Sequence, residues 1–158
     1  MDRSMFVASL GAEHQAFREF CGILDAEYAC LLRSDVDKLQ QLTQLKSSSV
    51  DRLAELADAR AGYLESLELN PGRQGMMKWL AACGDNDARE LSDLWRELVD
   101  LAAKARAKNE SNGTLITRRL TRNKAALAAL QSAARAHSLY GPDGQTNIQA
   151  GIRELGRA

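Results

Sequence analysis

From Asp87 to His137 the chain contains no proline and a single glycine, Gly113. Within that run Leu91, Leu94, Leu98, Leu101 and Ala105 alternate spacings of three and four. Ile116, Leu120, Asn123, Leu127, Leu130 and Ala134 resume the alternation in a register shifted by one residue. Such spacings place one stripe along an α-helix, and the shift predicts a stutter near its middle. At a rise of ~1.5 Å per residue the helix would be roughly 75 Å long. That exceeds the interior of a compact domain of 158 residues. The helix therefore needs partner helices along its length, from this chain or from another protein. The expected fold class is all-α: an elongated antiparallel hairpin or bundle of long helices with coiled-coil-like packing. A composition rich in Leu and Ala, with two prolines and 5% aromatics, agrees.

The residues ahead of this run supply partner helices. Val7, Leu10, His14, Phe17, Cys21, Leu24, Tyr28 and Leu31 form a three-four seam that predicts a helix over 4–32, widened by Phe6, Phe20 and Ile23. Gly11 and Gly22 weaken it. Ser34 with Asp37 has capping-box spacing and opens a second helix over 35–69. Its apolar face carries Val36, Leu39, Leu42, Leu45, Val50, Leu53, Leu56, Leu64 and Leu67, interrupted by Lys46 and Arg60. Asn70-Pro71-Gly72 ends it, because proline keeps the preceding residue extended. A short helix over 75–82 follows, with Met76, Met77, Trp79 and Leu80 apolar and Gly84 at its C′ position. Asp87 and Glu90 have capping-box spacing at the start of the long helix. Gly141-Pro142 stops that helix. Ile148, Ile152 and Leu155 give the tail one small apolar face. The expected organisation is a helical bundle over 1–138 and a C-terminal motif with an adaptable tail over 139–158, both within one domain.

Formal net charge is zero, which argues against global attraction to nucleic acid or to an anionic membrane. The charge is nevertheless polarised. Residues 1–100 hold 11 Lys/Arg and 18 Asp/Glu, a net of −7; residues 101–158 hold 10 and 3, a net of +7. Such polarity can steer the two halves together as an antiparallel hairpin, or one half onto an acidic partner. Cys21, Cys30 and Cys83 are odd in number and form no CxxC pair, as expected of a reducing, cytoplasmic setting. The N-terminus lacks the pattern of a signal peptide, and no stretch has the apolar length of a membrane span.

Catalytic chemistry finds no foothold. The two histidines, His14 and His137, lie far apart and each sits on an apolar stripe, where packed imidazoles are common. No zinc-spaced ligand set, phosphate-cradling glycine loop or nucleophile motif is present, so neither a cofactor nor a metal is expected. Arg118, Arg119, Arg122 and Lys124 could meet phosphates, but a solvated face pairing with the acidic half is the simpler reading. Asn109, Asn112 and Gly113 interrupt the long helix's apolar pattern, as a polar layer or bend, or as the point where the helix leaves the bundle. Leu139-Tyr140-Gly141-Pro142-Asp143-Gly144-Gln145 is a helix stop whose aromatic suits either packing or partner capture.

These last elements resemble a known family. Asn109-Glu110-Ser111-Asn112-Gly113, Leu115-Ile116, Ala126-Leu127, Leu130 and the Leu139–Gln145 motif are similar to the flagellar export chaperones of the FlgN type. The order of two long helices, a short helix bearing Trp79-Leu80 and a long fourth helix fits as well. The resemblance implies a cytosolic, non-enzymatic, all-helical chaperone. Its partners would be hook–filament junction proteins, held from early assembly and delivered to the flagellar type III export gate. It further implies a cargo-binding region near the C-terminus. The apolar anchors there would be Leu120, Leu127, Leu130, Ile148 and Ile152, with Tyr140 as a contact for gate or cargo. The free protein is expected to be a monomer or homodimer. The competing expectation is a structural coiled-coil adaptor or self-associating subunit, whose stripe pairs with its own copy.

Overall fold

The computed structural model describes residues 2–139, with side chains described at all of these except 85–87 and 136–139. The motif from Tyr140 onward, including Ile148 and Ile152, lies outside the described residues. The described residues form α1 (Arg3–Arg33), α2 (Val36–Ser66), α3 (Arg73–Ala81) and α4 (Asp85–Leu139). The fold is all-α. It divides into two compact units, residues 1–115 and 116–158.

Local chemistry sets the helix ends. Asp2 caps α1, its carboxylate accepting from the Met5 amide at 2.8 Å. At the other end Ser34 takes a left-handed conformation, φ 60°, and the Asp35 amide donates to the Cys30 carbonyl at 3.1 Å. Ser34 thus ends α1 and is not the cap of α2. That cap is Asp35, whose carboxylate accepts from the Lys38 amide at 3.2 Å. Helix α2 stops at Ser66, three residues before the expected end, in a Schellman arrangement. The Leu69 amide donates to the Leu64 carbonyl and the Glu68 amide to the Glu65 carbonyl, both at 2.9 Å. Glu68 occupies the left-handed position, φ 59°, that glycine usually fills.

The turn into α3 is built around Asn70, whose side-chain oxygen accepts from the Gly72 amide at 2.8 Å. A Cβ at Gly75 would fall 1.8 Å from the Asn70 carbonyl oxygen, so only glycine fits there. Helix α3 begins at Arg73, ahead of the expected Gly75. Gly84 has no left-handed backbone and does not serve as C′ of α3. Its carbonyl accepts from the Ala88 amide at 3.1 Å, which makes it the entry to α4. Helix α4 begins at Asp85, three residues earlier than the Ala88 that a cap at Asp87 would give.

In the 1–115 unit α1 and α2 run antiparallel, as the ion pairs Glu13–Arg60 and Glu27–Lys46 show. Helix α4 runs parallel to α1: His14 meets Glu97, Cys21 meets Leu101, Asp25 meets Lys108 and Leu24 meets Asn112. The polarised charge is used in one such contact, Asp25–Lys108 at 2.6 Å, within a parallel pair rather than an antiparallel one. Two apolar clusters fill the unit. One gathers Phe6, Leu10, Tyr63, Leu64, Met76, Trp79, Leu80 and Leu91. Phe6 stacks on Tyr63 at 4.0 Å and meets the edge of Trp79 at 4.7 Å, which docks α3 onto the α1–α2 pair. Aromatic pairs of this kind add ~1 kcal/mol beyond the area they bury. The other cluster gathers Ala16, Phe20, Cys21, Leu24, Leu53 and Ala105.

The buried face of α1 differs from the expected seam. Phe6, Glu13, Ala16, Phe20, Glu27 and Cys30 are buried, whereas Tyr28 is exposed and His14 and Phe17 are half-buried. Two of the buried residues are acids. Glu13 accepts from Arg60 at 2.9 and 3.3 Å, and the Arg60 guanidinium also lies over the Trp95 ring at 5.2 Å. Glu27 accepts from Lys46 at 2.9 and 3.0 Å and from the buried Asn112 amide at 2.8 Å. The same Asn112 amide group donates to the Leu24 carbonyl at 2.9 Å. Among the described residues no buried side-chain polar atom lacks a partner. Buried carboxylates are tolerated on that condition.

Candidate functional site

The candidate site is built on the α4 segment that begins at Ile116. Its local sequence favours a helix. Ala and Leu dominate residues 125–134, and both are strong helix formers. Thr117 and Thr121 add no break: the Thr121 hydroxyl donates back to the Thr117 carbonyl at 3.0 Å, a turn earlier.

Ile116, Leu120, Asn123, Leu127, Leu130 and Ala134 fall within an arc of about 80° on this helix, at ~100° per residue. They form one seam. The three leucines in it are Leu120 at 55% exposure, Leu127 at 59% and Leu130 at 67%. From Thr121 to Arg135 every described side chain is exposed. The structure therefore places three of the anchors that the resemblance implies, Leu120, Leu127 and Leu130, on one exposed stripe. The other three, Tyr140, Ile148 and Ile152, fall outside the described residues. Surface leucines standing singly need no explanation, but a heptad-spaced row of them can cover an apolar partner helix.

The electrostatics of this segment are one-sided. Residues 116–139 hold five basic side chains (Arg118, Arg119, Arg122, Lys124 and Arg135) and no Asp or Glu. In the 1–115 unit, basic groups meet acids at close range, as Lys46, Arg60 and Lys108 do.

Asn112 is the polar layer that the sequence pattern allowed for: it is 2% exposed and tied to Leu24 and Glu27. Asn109 and Gly113 are exposed and take no part in that layer. His14 is half-buried, its Nε2 3.2 Å from a Glu97 carboxylate oxygen. The His137 side chain lies outside the described ones.

Two further surfaces were not anticipated. Tyr28, Leu32, Val36, Leu45 and Val50, around the α1–α2 turn, are exposed although the seams of α1 and α2 include four of them. An open groove of about 580 Å³ lies between α3 and α4, lined by Arg73, Met77, Leu80, Trp95 and Val99 among others. The signal for the groove was Met77, an apolar residue on a short helix whose other apolar residues, Met76, Trp79 and Leu80, are buried. Among the described residues no group of three His, Cys, Asp or Glu could hold a metal ion, and no helix is long and apolar enough to cross a membrane.

The model of the FlgN protein family matches residues 1–148. This chain belongs to the FlgN family. A Proteus mirabilis relative named flagella synthesis protein FlgN is 32% identical over 128 residues, covering 78% of this chain and 77% of the relative. In three dimensions the chain is similar to a Pseudomonas aeruginosa crystal structure described as a flagella synthesis protein of the FlgN type. The TM-score is 0.67 at 22% identity, with 77% of this chain and 93% of the other covered. At that identity the likeness concerns the fold. The family match runs through the exposed leucine seam and the Leu139–Gln145 motif.

Proposed function

We propose that this protein is a cytoplasmic flagellar export chaperone that acts by stoichiometric binding rather than by catalysis. A role in flagellum synthesis follows from the family and from the name of its Proteus mirabilis relative. The cargo in this proposal is a hook–filament junction protein. The chain covers its helical segment, keeps it from assembling early and hands it to the type III export gate.

The observation that carries the proposal is the seam of Leu120, Leu127 and Leu130, exposed by half or more along a helix whose described side chains from 121 to 135 are all exposed. A helix with a free heptad stripe is a surrogate partner for a segment that would otherwise pair in the assembled structure. Ile148 and Ile152 would extend the apolar contact, and Tyr140 would meet either cargo or gate. An adaptable tail that orders on binding would spend part of its interaction energy on ordering, which favours later release.

The test is a pull-down of purified hook–filament junction proteins with the full chain, followed by light scattering of any complex. A complex of defined stoichiometry that is lost when residues 139–158 are removed supports the proposal. A tight self-associated oligomer with no uptake of either junction protein rejects it in favour of a self-pairing structural subunit.

A further inference from the structure

In this seam, exposed from Leu120 onward and half-buried at Ile116, placing Leu120 at heptad position a puts Ile116, Asn123 and Leu130 at d and Leu127 and Ala134 at a. The flanking e and g positions, which set partner choice in paired helices, are then Thr117, Arg119, Lys124, Ala126, Gln131 and Ala133. Both charged members, Arg119 and Lys124, are basic, and they bracket Asn123, the one polar residue in the seam.

This pattern has a consequence for self-association. In a parallel pair, each g residue faces the e residue five positions on in the other helix. Arg119 would face Lys124 of a second copy, twice by symmetry. In an antiparallel pair the flanks would still bring together only positive charges, because residues 116–139 contain no acid. Like charges across such a seam are unfavourable in either orientation. A membrane surface fits less well than a helix. Three leucines spread over residues 120–130 with Asn123 among them offer little apolar area to a bilayer. A nucleic acid would leave the leucine row uncovered.

We propose that the 116–134 seam disfavours its own copy and selects a partner helix with acidic residues at its flanking heptad positions and a polar residue opposite Asn123. This deepens the chaperone reading and rests on it. Leu120, Leu127 and Leu130 supply contact area, Arg119 and Lys124 supply the charge rule, and Asn123 supplies alignment. A buried Asn finds a hydrogen-bonding partner in only one alignment, so it sets register at some loss of affinity.

The test uses the full chain and fluorescent peptides of about four heptads, each with Leu at a and d, one Asn at d, and either Glu or Lys at e and g. Anisotropy titrations are run at low and at moderate salt. The Glu peptide is expected to bind at least ~10-fold more tightly than the Lys peptide, with the gap narrowing as salt rises. In an R119E/K124E variant of unchanged helicity the preference should reverse. In Asn123→Leu the chain should come to prefer an all-Leu peptide. Equal binding of both peptides, or a preference that survives the charge swap, overturns the charge rule. An unchanged Asn preference in Asn123→Leu overturns the alignment role. Uptake of vesicles of phosphatidylcholine and phosphatidylserine without uptake of either peptide overturns the proposal in favour of a lipid surface. If the peptides fail but junction proteins are still retained, this inference falls and the chaperone reading stands. If the Glu peptide binds but neither junction protein does, the seam rule stands and the cargo identity falls.

Discussion

Helix α4 carries the same heptad pattern twice with opposite outcomes. Leu91, Leu98 and Ala105 are buried to 7%, 3% and 2% exposure, while Leu120, Leu127 and Leu130 remain more than half exposed. In the first stretch the stripe is matched by Phe6 and Leu10 at one level and by Ala16, Phe20 and Leu24 at another. In the second, the described residues provide no such match. A hydrophobic period therefore states that a helix has a face to cover; it does not state who covers it. The charge makes the contrast sharper. The covered stretch of the helix carries both acids and bases, whereas residues 116–139 carry bases and no acid.

The largest effects should come from breaking the covered stretch. Leu24→Ala and Leu64→Ala, both at fully buried sites, are expected to destabilise by ~2–5 kcal/mol. Leu127→Ala should change stability by less than ~0.5 kcal/mol while weakening partner binding. Urea melts paired with pull-downs check both, and a large stability loss at Leu127 would erase the contrast. Next in size is the polar layer. Asn112→Ala removes one donor to Glu27 and one to the Leu24 carbonyl, for an expected loss of ~1–3 kcal/mol. Protection of the Leu24 region in hydrogen exchange should fall with it. Smaller, and of opposite sign, Glu68→Gly and Ser34→Gly should each stabilise by up to ~1 kcal/mol, because both residues hold positive φ. A lower melting temperature in either would mean that the side chain contributes more than the strain removes. The smallest effect concerns Asp2. Its hydrogen bond from the Met5 amide, and then that from the Ser4 hydroxyl, hold its pKa below the ordinary 3.8. The stabilisation is thus present above that value and lost as pH falls through the lower, folded value. Acid titration should show the first turn of α1 fraying only in that range, and Asp2→Ala should abolish the pH dependence.

The architecture was legible because its punctuation is local. Asn70-Pro71-Gly72 separates α2 from α3, and an unbroken run from Asp85 onward gives one long helix. The exact ends were less so. Glu68 and Ser34 adopt left-handed backbone where no glycine signals it, so α2 ends early and the cap passes from Ser34 to Asp35. The buried face of α1 was least legible. Glu13 and Glu27 look like solvated acids within their own helix, and their burial depends on Arg60 and Lys46 in another. The trace was present on α2, where those same two bases interrupt the apolar repeat. Of the candidate site, the common stripe of Leu120, Leu127 and Leu130 was readable from spacing, while their choice as anchors came from the family resemblance. The exposed residues around the α1–α2 turn were not, since Tyr28 and Leu45 obey the same period as their buried neighbours.

The two rungs Glu13–Arg60 and Glu27–Lys46 are fourteen residues apart on both helices. They act as a pair of keyed pins. If α2 slid by one heptad against α1, neither pin would find its hole, and two carboxylates would be buried without a counter-ion. A slide of two heptads would match one pin and strand the other. Leucines alone would accept each of these alignments nearly as well as the native one. The hairpin thus rejects misaligned copies of itself while it forms, by making each of them hold an unneutralised charge in an apolar layer.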